Sequence, residues 1–250
     1  MKITVNPKYE YLRHFLEALP DRFETEGNYI YGGRRNLIKS FLTPDGIEVN
    51  VKRYHEPNCI NLLVYSSGLR SPKGIRAYKF AGVLNAKGIS TPEPIAYLER
   101  RKGGLLGQSF FISKQCSYSH LLYEMGDALP NVYEPMADAL AHFTAHMHEQ
   151  EVLHLDFSPG NILWDKEGDD YHFSIVDINR MRFGPVSLRS GCKSFARLWG
   201  PKRFIQLLVR RYAELRAFDA DKAESVAMKA RRKFWKHYMQ KREIEFKLEL

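Results

Sequence analysis

His154-x-Asp156 is followed by Asn161, and Asp177 lies 21 residues beyond Asp156 in the apolar run 173–178. These residue types at this spacing imply phosphoryl transfer. Such a site needs one carboxylate facing the acceptor hydroxyl, plus an amide and a second carboxylate to hold magnesium on the nucleotide phosphates. Asp156 is the candidate base, and Asn161 and Asp177 are the candidate magnesium ligands. The bland alternative makes Asp156 a loop cap and Asn161 a turn residue, and it requires three coordinated coincidences. His154 is expected to support the loop, because phosphoryl transfer leaves little for an imidazole to do.

Lys52 ends the apolar pattern Val-Asn-Val-Lys, where a phosphoryl-transfer enzyme places the strand lysine that binds the α- and β-phosphates of ATP. The turn 31–36 stands where a phosphate-covering loop would be, with Gly32, Gly33 and Arg34 as candidate nucleotide-binding residues. It lacks the GxGxxG spacing and reads equally as an ordinary hairpin turn. The cofactors implied are ATP and Mg2+. His142, His146 and His148 share a helical segment, but no Glu follows His142 and a metal site is not expected there.

The elements that must position these residues fall into two halves. Strands are expected over 28–33, 36–43, 47–54, 94–101 and 105–113, with one helix over 72–87 opened by Ser71-Pro72 and closed by Gly88. The second half reads as helical. Asn131-x-x-Glu134 resembles a capping box opening a helix to about Gln150, and further helices are expected near 187–199, 201–217 and 220–245. Short strands at 161–164 and 171–178 flank a turn. A five-stranded antiparallel half with one helix (about 1–115), followed by a mostly helical half (about 116–250), is the α+β, two-lobed layout of one protein-kinase-like domain.

The 250 residues carry a net charge of +9, which favours polyanionic partners such as nucleotides, nucleic acid, phosphorylated glycolipids or an anionic membrane surface. Seven Lys/Arg and no acid lie between Lys229 and Arg242, interleaved with Phe234, Trp235 and Tyr238. Such a helix can lie on a membrane, or pack its aromatic face inward and leave its basic face solvated. Cys59, Cys116 and Cys192 are widely spaced and fit a reducing compartment. No signal peptide or 18-residue apolar run occurs, so a cytoplasmic location is expected.

From Gly32 to Trp199 these residues resemble the lipopolysaccharide core kinases, the Kdo/heptose kinase family with a eukaryotic-kinase-like fold. The resemblance rests on Lys52, on Asp156, Asn161 and Asp177, and on the segment 88–97, similar to that family's helix-to-strand passage. The stretch 156–163 is also similar to RIO-type and small-molecule kinases. Ser158 stands where protein Ser/Thr kinases carry Lys, Leu155 replaces the Arg of His-Arg-Asp, and Asp177-Ile-Asn lacks the DFG glycine. These departures point toward a sugar or glycolipid acceptor.

The resemblance implies ATP-dependent phosphorylation of a sugar hydroxyl, Kdo first, in a lipid A precursor, with peripheral contact at the cytoplasmic face of the inner membrane. Nucleic acid is not an expected partner. The residues leave open a RIO-like protein kinase and a pseudokinase scaffold that binds lipid or nucleic acid. The main departure is that no acidic residue occurs between Glu56 and Glu93, so the helix after Lys52 lacks the glutamate that kinases pair with this lysine. Either Asp177 or the phosphates orient Lys52, or activity is impaired. Arg180, Arg182, Arg189 and Lys193 are candidate anion contacts beyond Asp177.

Overall fold

Alternating β-branched and aromatic residues build an antiparallel sheet in the first half of the chain. Its strands are β1 (Lys2–Val5), β2 (Asn28–Gly32), β3 (Asn36–Leu42), β4 (Glu48–Tyr54), β5 (Pro94–Lys102) and β6 (Leu105–Lys114), ordered β1-β5-β6-β4-β3-β2. The computed structural model describes residues 1–32, 36–56, 65–66 and 69–250. Gly33, Arg34 and Cys59 lie outside the described residues. The chain divides into two compact units, Met1–Ser117 and Tyr118–Leu250.

The five expected strands are present, and β1 adds a sixth beside β5, pairing Lys2 with Glu99 and Val5 with Ala96. A helix absent from the sequence reading, α1 (Arg13–Arg22), follows a 3-10 turn at Pro7–Leu12. Leu12, Leu16, Leu19 and Phe23 recur at helical spacing and are buried with Val49, Val51, Phe110 and Ile112 on one face of the sheet. The expected helix is α2 (Lys73–Ala86), which packs on β5 and β6. Ser71 does not cap it. Pro72 holds the N-cap position without a side-chain bond, since its own ring preorganises the entry. Its end matches expectation: Gly88 adopts φ +69°, and the amides of Gly88 and Ile89 donate to the carbonyls of Asn85 and Leu84.

The second unit is built on α3 (Pro130–Glu149), which packs against α5 (Lys202–Leu215). Asn131 is not its N-cap. Leu129 precedes the helix and Pro130 opens it, so Asn131 and Glu134 lie inside the first turns. Three short strands form a sheet in the order β10-β9-β7: β7 (His120–Leu121), ahead of α3, then β9 (Ile162–Glu167) and β10 (Asp170–Ile175) after it. A separate pair joins β8 (Val152–His154) to β11 (Met181–Phe183). The chain continues through α4 (Leu188–Ser194), a 3-10 turn at Phe195–Arg197, α5 and α6 (Ala220–Met239).

α6 ends at Met239, short of the expected 245, because the chain turns back to bury Phe246 between Trp199 and Trp235. Trp235 is buried, while Arg232, Lys233 and Lys236 stay exposed. The aromatic side of this basic helix therefore packs inward. No helix among the described residues is long and apolar enough to cross a membrane.

Candidate active site

In the second unit, His154 ends β8 and the loop from there to β9 carries Asp156 and Asn161. His154 is almost fully buried. Its Nδ1 accepts from the Asp156 amide at 3.0 Å, so its Nε2 carries the proton and donates to the Val176 carbonyl at 3.0 Å. Burial pushes this imidazole below its ordinary pKa, which keeps it neutral and able to bond in both directions. His154 thus ties the backbone at Asp156 to the backbone beside Asp177.

Asn161 is fixed by the same kind of accounting. Its amide donates to the Ser158 carbonyl, and its own carbonyl accepts from the Val176 amide at 3.0 Å. Its side-chain Nδ2 donates to the Asp156 carbonyl at 2.9 Å, which leaves Oδ1 as the atom able to ligate a cation. Gly160 makes this turn feasible: a Cβ there would meet the Tyr123 ring at 2.8 Å.

Asp177 lies just beyond β10 rather than in it, with φ +55°, in the left-handed region that a non-glycine residue seldom adopts. Asn179 Nδ2 donates to its Oδ1 at 2.7 Å. Such strain collects where the surroundings over-determine a functional geometry. The pairing of Ile162 with Ile175 holds the neighbours of Asn161 and Asp177 in register. One amide oxygen and one carboxylate match what magnesium takes from protein when phosphates and water supply the remaining ligands. Among the described residues no cluster of three or more His, Cys, Asp or Glu is placed to hold a metal, and His142, His146 and His148 form none.

Asp156 itself is paired twice. Arg180 Nη1 lies 3.4 Å from Oδ2, and Arg197 Nη1 contacts Oδ1. Arg180 was among the sequence candidates. Arg197, 41 residues along the chain from Asp156, gave no local signal. The Leu155 amide donates to the Arg180 carbonyl at 2.9 Å, extending the β8–β11 pairing up to the loop. Arg197 ends the 3-10 turn with its guanidinium 5.4 Å from the Phe234 ring centroid. Arg182 instead bonds the Pro185 carbonyl and Ser190 Oγ.

In the first unit, Lys52 stands on β4 opposite Phe111, which in turn faces Tyr97 on β5; two residues along, on the same face, Tyr54, Ser109 and Glu99 form the parallel row. The Lys52 ammonium lies 5.5 Å from the Tyr54 ring centroid. This is the sheet face covered by α2, where the Tyr97 ring fits over Gly74. The buried carboxylate on this face is Glu99, 3% exposed, bonded by Tyr97 Oη at 2.7 Å and by Arg101 Nε at 2.8 Å. Gly32 ends β2 and is exposed.

Over most of its length the chain is similar to two solved structures. One is WaaP in complex with acyl carrier protein, at TM-score 0.62 and 19% identity, covering 95% of this chain and 100% of that one. The other is the Rio2 kinase–ADP/Mg2+-phosphoaspartate complex from Chaetomium thermophilum, at TM-score 0.51 and 15% identity, covering 95% and 78%. At these identities the likeness establishes the fold, which is protein-kinase-like. Comparison with curated proteins yields no match. A family model fits residues 33–236, a span that takes in Lys52, the loop from His154 to Asn161, Asp177 and both arginines. The chain therefore belongs to the lipopolysaccharide kinase (Kdo/WaaP) family.

Proposed function

We propose that this protein transfers the γ-phosphoryl group of ATP to a sugar hydroxyl of the lipopolysaccharide inner core, with Kdo in a lipid A precursor as the acceptor, the two units working as one kinase domain. The observation that carries the reading is the interlocked loop: His154 bonds both Asp156 and Val176, and the Asn161 carbonyl accepts from the Val176 amide. It makes the backbones carrying the base and both candidate ligands one rigid piece.

Asp156 accepts the proton of the sugar hydroxyl as its oxygen bonds to phosphorus and the bond from phosphorus to ADP breaks. Lys52 contacts the α- and β-phosphates, and Gly32, Gly33 and Arg34 cover them. Asn161 and Asp177 hold magnesium, which supplies neutralisation of phosphate charge when bound. Catalysis on this reading is positioning plus electrostatics. The exposed lysines and arginines of α6 suit an anionic glycolipid at the cytoplasmic face of the inner membrane. The WaaP structure holds acyl carrier protein, and the same charge on this chain would suit an acidic protein partner.

The experiment is labelled ATP with Kdo-lipid A, a heptose-bearing core, and casein as acceptors. The reading expects label in the Kdo lipid and its loss in both Asp156→Asn and Asp177→Asn. Label in casein alone would make this a protein kinase, and no nucleotide binding by calorimetry would make it a scaffold.

A further inference from the structure

We propose that Arg180 and Arg197 form an anion-receiving subsite beside Asp156, which holds that carboxylate while the site is empty and exchanges it for an acidic group on the acceptor. This rests on the reading of Asp156 as the base for a sugar hydroxyl. A single carboxylate faces two guanidiniums, leaving one positive charge beside the point where the acceptor hydroxyl must sit. A neutral sugar offers that charge nothing. An acceptor with a carboxylate next to the reacting hydroxyl, or with a phosphate already attached, offers it a partner in fork-to-carboxylate geometry.

Both arginines sit on segments held by backbone hydrogen bonds. Arg180 is fixed through its carbonyl, which accepts the Leu155 amide one residue before Asp156. Arg197 is fixed by the Phe234 ring on one side and by the next residues on the other. The carbonyls of Leu198 and Gly200 accept from Arg231, which has no exposed surface. A fully buried guanidinium spent on two backbone carbonyls makes the segment carrying Arg197 rigid.

The two arginines themselves are 52% and 37% exposed, while Asp156 is 22% exposed. Ion pairs this open to water are weak and change partners readily. Binding of an acidic acceptor would therefore draw both guanidiniums away and free the Asp156 oxygens for the hydroxyl. A neutral hydroxyl compound, or water, would leave Asp156 occupied. The pair thus selects the acceptor and restrains wasteful hydrolysis of ATP by the same contact.

The test compares the wild type with Arg180→Gln, Arg197→Gln and the double variant, each first checked for unaltered thermal unfolding. With a Kdo-bearing lipid A precursor in detergent micelles, each single variant should raise the acceptor KM about tenfold, with the ATP KM within about twofold, as loss of a charged contact predicts. Arg197→Lys should recover part of the loss. With the Kdo carboxylate reduced to an alcohol, the wild type should fall to the level of the variants and the variants should lose nothing more. A heptose acceptor with and without its phosphate distinguishes a phosphate as the anion received.

Without any acceptor, hydrolysis of ATP by water should rise about threefold in the double variant as Asp156 is released. Unchanged acceptor KM in the variants, or equal use of the carboxylate and alcohol acceptors, would overturn the subsite. Unchanged or slower hydrolysis would overturn the restraint on Asp156. Should the wild type phosphorylate no core sugar at all, the sugar-kinase reading fails, and the hydrolysis measurement still decides what the arginines do.

Discussion

Arg231 Nη2 donates to the Gly200 carbonyl at 2.9 Å from a guanidinium that has no exposed surface. Burial lowers its pKa to about 10, still far above neutrality, so the group is a cation inside the protein. Arg231→Met should cost about 3 kcal/mol, because it strands the carbonyls of Leu198 and Gly200 away from water. Arg231→Lys should cost nearly as much, since an ammonium lacks the planar fork that reaches two carbonyls. Urea unfolding of the two variants measures both.

The loop lock at His154 predicts a loss of activity from a residue that does not touch substrate. His154→Ala leaves the Asp156 amide and the Val176 carbonyl without their partner, at a cost of about 2 kcal/mol. The expected kinetic result is kcat lowered about tenfold or more with the ATP KM little changed, because the base is displaced while Lys52 is untouched. Steady-state kinetics alongside an unfolding curve separates this from simple instability.

Stability should fall on mild acidification. Burial pushes His148 down to about 3 and His154 in the same direction. His148 Nδ1 lies 2.8 Å from Tyr212 Oη, its Nε2 has no hydrogen-bond partner among the described residues, and the charges of Arg216 and Arg182 oppose its protonation. Both imidazoles are neutral in the fold and take up protons on unfolding below about pH 6.5. The stabilisation from both histidines is therefore complete above that pH and declines as pH drops below it, for His148 by roughly 1 kcal/mol per unit toward pH 3. Unfolding curves between pH 5 and 7.5 should show this, with a shallower slope in His148→Gln.

In the first unit, Tyr97→Phe removes the 2.7 Å bond to buried Glu99 and leaves that carboxylate on Arg101. A loss of about 1–3 kcal/mol is expected. The phenol pKa of Tyr97 is raised, first by burial and then by Glu99, so the ring stays protonated and donating throughout the working range. Thermal unfolding of the variant gives the magnitude.

Asp156, Asn161 and Asp177 stand out in the sequence as candidates because phosphoryl-transfer chemistry restricts both residue type and order. Gly88 could be read because φ +69° admits few other residues. The two helix starts failed for one reason: Ser71 and Asn131 are good capping types, but prolines one residue away took over the entry. The signals for β1 and α1 were present in the alternation of Lys2–Val5 and the spacing of Leu12, Leu16, Leu19 and Phe23. Arg197 could not be found that way. Its role depends on a contact across 41 residues that no periodicity encodes. The absence of a helix glutamate after Lys52 was plain in the sequence. That a buried glutamate sits on the same sheet face, two strands away, needed the register.

The pairing of Ile162 with Ile175 changes the meaning of the 21-residue step from Asp156 to Asp177. The hairpin of β9 and β10 between them turns at an exposed tip, Gly168-Asp169. Adding one residue to each strand lengthens the arm without moving its base. Chain separation at this point is therefore free to drift over evolutionary time by such matched steps, while the two ends beside Asn161 and Asp177 stay fixed. A relative with a longer interval before its second aspartate would carry the same site.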